Sequence, residues 1–190
     1  MSDAVKQKRK AIYEDLLKLS ENVVGEIIDG ELYVSPRPRP EHSFAAVTLT
    51  GKLVPSFGRG GTPGGWWILP ELELHLGKDP DDQIFVPDLA GWKKEKMPTL
   101  PKEAYITIVP NWVCEILSPS SARLDRVKKV PKYASFGVEY LWLINPRDKT
   151  LEAFRLENSK WVLLSTHADT DKVKVAPFEA MEFDLGALWE

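Results

Sequence analysis

The chain has 190 residues, of which 43% are hydrophobic and 28% are charged, and its formal net charge is −3. This length suits one domain with a substantial core, and the lack of any apolar run of about 18 residues predicts that the chain does not enter a membrane. Charges throughout the first residues argue against a secretory signal peptide, so we expect a cytoplasmic protein.

The composition also limits the kinds of site. The single cysteine, Cys114, cannot form an internal disulfide, and only three histidines are present. A zinc site of the usual cysteine and histidine kind is therefore not expected. The acidic net charge provides no global basic field, so nucleic-acid binding would depend on a local patch such as residues 123–132.

The first third of the chain predicts two helices around a hairpin. Apolar residues recur at helical spacing over about 4–20, which predicts an amphipathic helix. Two short apolar runs around Asp29 and Gly30 then predict a β-hairpin. After a proline-rich turn, residues 41–57 predict a second helix. Its expected apolar face consists of Phe44, Val47, Leu49 and Leu53.

The rest of the chain alternates strands with one helix. We predict a half-buried strand over 66–77, buried strands over 85–92 and 106–121, and a helix over 121–138 that Gly137 closes. Four short strands in meander order follow, at 138–145, 150–157, 160–167 and 172–176. This pattern is typical of the α/β class, with helices flanking a central mixed sheet. We expect one domain over 1–190, with an N-terminal helix at about 4–20, a core at about 24–146 and C-terminal strands at about 150–185.

Two acids lie inside apolar runs that are typical of buried strands. Asp88 occurs in FVPDLAGW and Glu115 in WVCEILSPSS. An unpaired buried carboxylate costs several kcal/mol, so each acid needs a partner, a shifted pKa or a metal ion. We expect both near strand ends, where neighbouring strands bring them together. The structural alternative is that Asp88 ends a strand or caps a turn, and that Glu115 pairs with a lysine of a facing helix.

Paired carboxylates at a sheet edge favour a hard cation. Mg²⁺ in particular binds one or two carboxylates together with waters and substrate phosphate oxygens. Such an ion polarises a phosphoryl oxygen and lowers the pKa of a bound water. The two acids therefore indicate phosphodiester chemistry.

The motifs along the chain resemble those of the restriction-endonuclease-like family in the PD-(D/E)XK nuclease superfamily. The resembling series is GEIIDGELYVSP, a histidine that opens a helix, ELELHLG, VPDLAGW, VCEILSPSS, LDRVKKVPKY and GVEYLWLINP. It extends from about residue 10 to residue 157, and its most specific part is the ungapped run 118–146. The resemblance implies a restriction-endonuclease-like core, with a central mixed β-sheet flanked by helices, to which the C-terminal β-meander is added.

The resemblance also implies site residues. Asp88 and Glu115 would be the acids that bind Mg²⁺ or Mn²⁺, and Glu26 matches a further acid that would complete the metal site. The superfamily's lysine normally lies two residues after the second acid, where this chain has Leu117. In its place the resemblance implies Lys129, on the following helix, to orient the attacking water or stabilise the pentacoordinate phosphate.

Residues of the same helix support or compete with Lys129. Asp125 lies four residues earlier and could hold the ammonium toward the site. Pro131 interrupts the helical hydrogen bonds, so the site lysine could instead be Lys132. Two further candidates for a supporting role are Tyr133 and His42.

These observations predict a Mg²⁺-dependent endonuclease that hydrolyses phosphodiester bonds of DNA. The basic residues expected to contact the nucleic acid are Arg123, Arg126 and Lys128. A nuclease-fold module that binds or assembles without cutting is the alternative, which the acidic net charge and the lack of a separate recognition domain favour. A metal-dependent hydrolase of another phosphate ester is a third, less favoured interpretation.

The seven tryptophans also suggest an assembly. They are distributed over strands and loops, and one small core is not expected to absorb all of them. Because a double-strand cutter needs two active sites, we predict a homodimer with two-fold symmetry.

Overall fold

The computed structural model describes residues 9–58, 60–79 and 81–189. Its helices are α1 (Tyr13–Leu17), α2 (Pro40–Phe57), α3 (Ala122–Leu124) and α4 (Val130–Phe136). A π-helical turn over Asp125–Lys129 joins α3 to α4, and a 3₁₀ turn covers Leu185–Leu188. The strands are β1 (Val23–Ile28), β2 (Glu31–Pro36), β3 (Trp66–Pro70), β4 (Glu73–His75), β5 (Gln83–Phe85), β6 (Leu89–Lys93), β7 (Tyr105–Ile106), β8 (Trp112–Ile116), β9 (Tyr140–Asn145), β10 (Thr150–Glu157), β11 (Lys160–Ala168), β12 (Lys172–Val173) and β13 (Phe183–Asp184).

Two mixed sheets form the fold. The larger has six strands in the order β11-β10-β9-β8-β6-β3, with β8 and β9 parallel and the other neighbours antiparallel. The smaller has five strands in the order β2-β1-β5-β4-β7, of which β4 and β7 are parallel. Mixed sheets with few flanking helices confirm the expected α/β class.

The hairpin of β1 and β2 and the helix α2 lie where the sequence predicts them. Asp29 and Gly30 both have positive φ, 55° and 71°, which is the backbone that a two-residue hairpin turn requires. The expected apolar face of α2 is partly wrong, because Phe44 and Val47 are exposed while Leu49 and Leu53 are buried. The residues of α2 that pack inward are His42, Ala45, Leu49, Leu53 and Phe57.

The N-terminal helix is shorter than expected. α1 covers only Tyr13–Leu17, and residues 4–8 of the predicted helix lie outside the described residues. The Asp15 carboxylate accepts a hydrogen bond from the Ile12 N–H at 3.0 Å, which satisfies a backbone donor at the start of this helix.

Three predicted strands are each divided into two. The strand over 66–77 breaks at Glu71, which has a φ of 43°, so β3 and β4 belong to different sheets. The strand over 85–92 breaks around Pro87, and Asp88 therefore precedes β6 instead of ending a strand. The strand over 106–121 is interrupted before β8 by Pro110, which has no N–H to donate.

The C-terminal meander is correct for three of its four strands. β9, β10 and β11 pair antiparallel in sequence order. The fourth strand, β12, pairs instead with β13 in a separate two-stranded sheet, and β13 was not predicted. A residue of positive φ, Asp169 at 52°, lies between β11 and β12, where the chain turns away from the large sheet.

The tryptophans belong mainly to the core, which removes the sequence-based reason for an interface made of them. Trp66, Trp92, Trp112 and Trp142 are buried, and the other three are partly buried. The indole N–H of Trp142 donates to the Ala176 carbonyl at 2.7 Å, which satisfies its polar atom inside the core. Within the described part of the chain, no helix has the length and apolar character needed to span a bilayer.

Candidate active site

Asp88 and Glu115 face each other across two neighbouring strands. β6 and β8 are antiparallel with Leu89 opposite Cys114, so one residue further the same register places Asp88 opposite Glu115. The Ile116 N–H, on β8, donates to Asp88 Oδ2 at 2.6 Å. The strand pairing thus brings the two acids together, as the sequence predicted.

Lys129 reaches this pair of acids from the helical side. Its ammonium nitrogen lies 3.0 Å from Glu26 Oε1, 3.0 Å from Glu115 Oε1 and 3.4 Å from Asp125 Oδ1. Its side chain is only 3% exposed. Lys132 instead pairs with Asp29 at the surface. Of the two lysines that the sequence left open, Lys129 is therefore the one beside the acids.

The π-helical turn explains how Lys129 and Pro131 coexist. The Val130 N–H donates to the Asp125 carbonyl, five residues earlier, which widens the helix just before the proline. Pro131 then falls in the first turn of α4, where its missing N–H is tolerated. Asp125 and Lys129 remain on one face of this turn and form a buried ion pair.

Further hydrogen bonds hold the two glutamates. The Tyr133 hydroxyl donates to Glu115 Oε1 at 2.6 Å. The Val86 N–H donates to Glu26 Oε1 at 2.8 Å. Glu26 belongs to the smaller sheet and Glu115 to the larger, so the site lies where the two sheets meet.

The electrostatics of the cluster favour bound protons. Burial raises the pKa of Glu26 and Asp125 above their ordinary values, and that of Glu115 well above it, although Lys129 opposes each shift. Burial also opposes the charged form of Lys129, but Glu115 and Glu26 outweigh it and raise the pKa of the ammonium well above its usual range. Three acids around one ammonium leave an excess of negative charge, so the lysine stays charged while the acids resist ionisation.

His42 joins the site from the first turn of α2. Its Nε2 lies 3.1 Å from Asp88 Oδ1. Burial disfavours the imidazolium, but the hydrogen bond and charge of Asp88 outweigh it and raise the pKa of His42 above the usual value. Its other ring nitrogen, Nδ1, is buried and has no hydrogen-bond partner in the part of the chain that is described.

A cavity of about 250 Å³ opens over these residues. The basic residues that the sequence suggested for nucleic-acid contact are not in its wall. Arg126 pairs with Glu152 at 2.6 Å, and neither Arg123 nor Lys128 lines the cavity. The wall instead contains Arg37 and Arg39, which belong to the proline-rich turn and were not predicted as nucleic-acid contacts.

The site offers a divalent cation only two protein ligands among the described residues. Within residues 9–58, 60–79 and 81–189, no group of three His, Cys, Asp or Glu side chains is arranged to hold a metal ion. Glu26 uses Oε1 for Lys129 and for the Val86 N–H, so its contacts are those of a lysine partner. Asp88 and Glu115 remain as a facing pair of carboxylates. Two carboxylates are what Mg²⁺ uses when waters and substrate oxygens complete its shell.

An α/β fold whose mixed sheets bring two acids and a lysine to one cavity is the arrangement that a resemblance to the restriction-endonuclease-like class implies. Residues 13–186 match the family described as "Uma2: Putative restriction endonuclease", and the chain belongs to this family.

Comparison with solved structures supports the same fold. The chain is similar to a crystal structure described as "a putative nuclease belonging to DUF820" from Anabaena variabilis, with a TM-score of 0.69 and 21% identity. The similarity covers 94% of this chain and 97% of that one. At this identity it concerns the fold alone.

One curated protein shares a short segment with the chain. Formamidopyrimidine-DNA glycosylase of Mycobacteroides abscessus is 34% identical over 68 residues, which cover 30% of this chain. The chain spans only 24% of that relative's length.

Proposed function

We propose that the protein is a Mg²⁺-dependent endonuclease that hydrolyses phosphodiester bonds of DNA, with Mn²⁺ as an alternative ion. The observation that carries this proposal is the meeting of Asp88, Glu115 and Lys129 at one cavity. Two facing carboxylates and a cation are the groups that phosphoryl transfer to water needs. Membership of a restriction-endonuclease family supports the same reaction class. We also propose that the protein is cytoplasmic, as expected from the sequence.

Asp88 and Glu115 are the residues that would hold the ion. When bound, Mg²⁺ supplies a Lewis acid for the phosphoryl oxygen and lowers the pKa of a bound water. The Ile116 N–H and His42 keep the Asp88 carboxylate oriented toward its partner acid. The raised pKa of Glu115 means that a divalent cation must displace a proton there, so its binding is expected to weaken as the pH falls.

Lys129 would act on the phosphate. As water attacks phosphorus and the leaving sugar oxygen departs, negative charge grows on the non-bridging oxygens, and a preorganised ammonium stabilises it. The carboxylates of Glu26 and Asp125 fix the lysine from two sides. Tyr133 fixes Glu115 in the same way, through its hydroxyl.

Plasmid cleavage tests the proposal directly. Supercoiled DNA incubated with the protein and Mg²⁺ or Mn²⁺ should be nicked or linearised, and EDTA should abolish the reaction. Asp88→Asn and Glu115→Gln should each abolish cleavage while the folded signal in circular dichroism persists. Absence of cleavage of plasmid, single-stranded DNA and RNA by the native protein with either ion would reject the nuclease reaction.

A binding module that cuts nothing is the second candidate. The observation in its favour is that Lys129 already contacts three carboxylates, and that Asp88 already has two protein partners. Such saturation is also what a structural ion cluster shows. Nucleic-acid binding without any cleavage, unaffected by Asp88→Asn, would favour this candidate.

The homodimer expected from the sequence remains part of the proposal, although the tryptophans do not provide its surface. Two copies would give a double-strand cutter its two sites. The dimer therefore requires an interface that is not made of the tryptophans.

A further inference from the structure

Two arginines lie on the wall of the active-site cavity in a segment stiffened by prolines. From the last residue of β2 to the first of α2 the sequence is Pro-Arg-Pro-Arg-Pro, residues 36–40. A proline fixes its own φ and drives the preceding residue into extended backbone, and Arg39 accordingly has φ −76° and ψ 161°. Residues two apart in such a segment are separated by roughly 6 Å along it. Arg37 and Arg39 both line the cavity.

Arg37 and Arg39 supply exposed positive charge to a cavity whose lining is rich in acids. Its described lining includes four acids, namely Glu26, Asp88, Glu115 and Asp125. Lys129, the cation at their centre, is buried among three of them, so it gives little long-range attraction to an anion that is still in solvent. Arg37 and Arg39 are exposed, and they are the exposed cations among the described residues of the lining. Without them a phosphodiester would enter a lining that has four acids and no exposed cation among its described residues.

Arg37 and Arg39 also differ from Arg126, a residue of the expected basic patch, in the partners that their guanidinium groups have. Arg37 Nε donates to the Glu21 carbonyl at 3.0 Å, which anchors its guanidinium and leaves its terminal nitrogens to bind a ligand. Arg39 makes no hydrogen bond or ion pair with another described side chain. By contrast, Arg126 is already engaged by Glu152. A guanidinium binds phosphate through two parallel hydrogen bonds, which suits backbone recognition.

We infer that Arg37 and Arg39 bind neighbouring backbone phosphates of the nucleic-acid strand whose scissile phosphodiester enters the cavity. The inference rests on the proposed function and names the residues that hold its substrate. The contact is to the backbone, so it gives affinity and register without reading bases.

Salt-dependent binding tests this inference. In the non-cleaving Asp88→Asn background with EDTA, affinity for a fluorescent duplex is measured by anisotropy at several concentrations of monovalent salt. Each lost phosphate contact should reduce the slope of log K against log salt by about 0.9. Arg37→Gln and Arg39→Gln should each show this reduction, and the double variant about twice as much. Arg126→Gln, which removes the same charge outside the cavity, should leave the slope unchanged.

Measurement of KM and kcat provides a second test of the arginine assignment. In the otherwise native enzyme, Arg37→Gln and Arg39→Gln should raise KM more than they lower kcat, because the contact is made equally in ground and transition states. Arg37→Lys should restore part of the loss. If DNA is cut and neither slope nor KM changes, the arginine assignment is wrong while the nuclease proposal stands. If DNA is bound but not cut, the nuclease proposal fails, and an unchanged slope then rejects the arginine assignment as well. If DNA is neither bound nor cut, both fail.

The outer face of α2 carries a second inference, which is independent of the first. Phe44, Val47 and Val54 are 41%, 69% and 37% exposed. With the exposed Gly51 they follow one another at intervals of three and four residues, so they form a single stripe on the side opposite the buried face. We call Phe44, Val47, Gly51 and Val54 the outer stripe. An uncharged stripe along a long surface helix is unusual for a helix that faces only water.

Gly51 is not explained by the chain's own structure. A Cβ atom at this position would meet no atom within 4 Å, and Gly51 is not among the residues with positive φ. Glycine within a helix costs roughly 1 kcal/mol relative to alanine. No packing contact within the described residues requires that cost. Close approach of another chain would require it.

The outer stripe is complementary to itself. Phe44 and Gly51 lie two helical turns apart, symmetrically about Val47 and Thr48. In an antiparallel pair with its two-fold axis at that point, each Phe44 ring lies over the partner's Gly51. Glu41 and Lys52 lie on the same flank of the stripe, so each Glu41 comes within about 3 Å along the axis of the partner's Lys52 position. Both the shapes and the charges therefore match a second copy of this chain.

We propose that α2 forms a two-fold antiparallel interface with a second copy of the protein through the outer stripe. A helix of this length extends about 27 Å, so the stripe and its flanks form an interface at the small end of the usual range. The dimer is accordingly expected to dissociate on dilution. His42 lies in the first turn of the same helix on its buried side, which links each active site to the interface.

Mass measurement over a concentration series tests the interface without any enzymatic activity. Sedimentation equilibrium should show dimer at high micromolar concentration, and Val47→Glu or Gly51→Leu should shift the equilibrium to monomer. Gly51→Leu has open space in the monomer, so its fold should be retained. Leu163→Glu, on the exposed edge strand β11, is a matched control that should leave the dimer intact.

A cross-link gives the geometry. A chain carrying both Phe44→Cys and Gly51→Cys cannot close a disulfide within one helix, because the positions are about 10.5 Å apart along it. Oxidation should therefore yield a covalent dimer. A protein that stays monomeric at all concentrations and does not cross-link would overturn the proposal, as would a dimer that Val47→Glu leaves unchanged or that Leu163→Glu dissociates.

Discussion

The Lys129 ammonium and the Glu115 carboxylate lie 3.0 Å apart although they belong to elements of different kinds, a π-helical turn and a central strand. Both side chains are buried. Their contact joins the basic helix to the pair of acids beside the ends of β6 and β8 in the large sheet. The catalytic and the structural interpretation of the cluster assign this contact different roles. Mutation of its residues can distinguish the two interpretations.

Replacing the lysine tests its part in the reaction. Lys129→Ala should lower the single-turnover cleavage rate about 10²-fold or more, because it removes charge stabilisation of the transition state. Affinity for Mg²⁺, measured by calorimetry, should change little. Lys132→Ala, at the surface, should leave the rate nearly unchanged. A large loss at position 132 with none at position 129 would contradict the placement of the lysine.

The same substitution should affect stability. Removing the ammonium leaves buried carboxylates without their partner, so the free energy of unfolding should fall by roughly 3–5 kcal/mol. Urea denaturation of Lys129→Ala and of the double variant Lys129→Ala with Glu26→Gln measures this. The double variant should recover part of the loss, because one uncompensated acid is gone. No recovery would mean that Glu26 and Lys129 are not energetically coupled.

Asp88→Asn separates metal binding from turn structure. At a pH where Glu115 is ionised, the metal-free protein should melt higher with this change, since repulsion from Glu115 is relieved, and Mg²⁺ should no longer raise the melting temperature. Differential scanning fluorimetry with EDTA and with Mg²⁺ gives both values. A variant that melts lower without metal and still responds to Mg²⁺ would identify Asp88 as a structural turn residue.

The raised carboxylate pKa values predict how stability depends on pH. In metal-free protein, Glu26, Glu115 and Asp125 hold protons in the folded state at pH values where the unfolded chain has lost them. The unfolded state then binds fewer protons, so stability falls as pH rises from about 4.5 through the raised pKa values. Urea denaturation in EDTA between pH 5 and 8 should show this fall. Glu115→Gln should flatten it, whereas an unchanged slope would contradict the assigned shift.

The Tyr133 hydroxyl can be tested alone. Tyr133→Phe removes the hydrogen bond to Glu115 but keeps the ring that packs beside Phe85. Unfolding free energy should fall by about 1–3 kcal/mol, because a buried carboxylate oxygen loses a donor. Tyr140→Phe, on β9, provides a comparison with only small expected loss. Equal effects at both positions would mean that the hydrogen bond adds nothing specific.

Sequence alone was sufficient for the features that depend on local patterns. Asp29 and Gly30 predict their hairpin because a two-residue turn needs positive φ at both positions. Gly137 predicts the end of α4, where it adopts a φ of 80°. Asp88 and Glu115 could be singled out because a charged residue inside an apolar run must find compensation wherever the strand goes. The meeting of these two acids was also predicted, because both lie near strand ends.

Only the tertiary structure decided what each element packs against. Hydrophobic periodicity shows that a helix has faces, but α2 has apolar residues on two of them, and the sheet selected Leu49 over Val47. The division of 66–77 between two sheets could not be predicted, since a strand's pattern does not specify which sheet it joins. The choice of Lys129 over Lys132 depended on one wide helical turn, and the place of Glu26 depended on where the two sheets meet. These relationships arise from contacts between residues distant in sequence, whose free energy is determined by register and packing and not by local propensity.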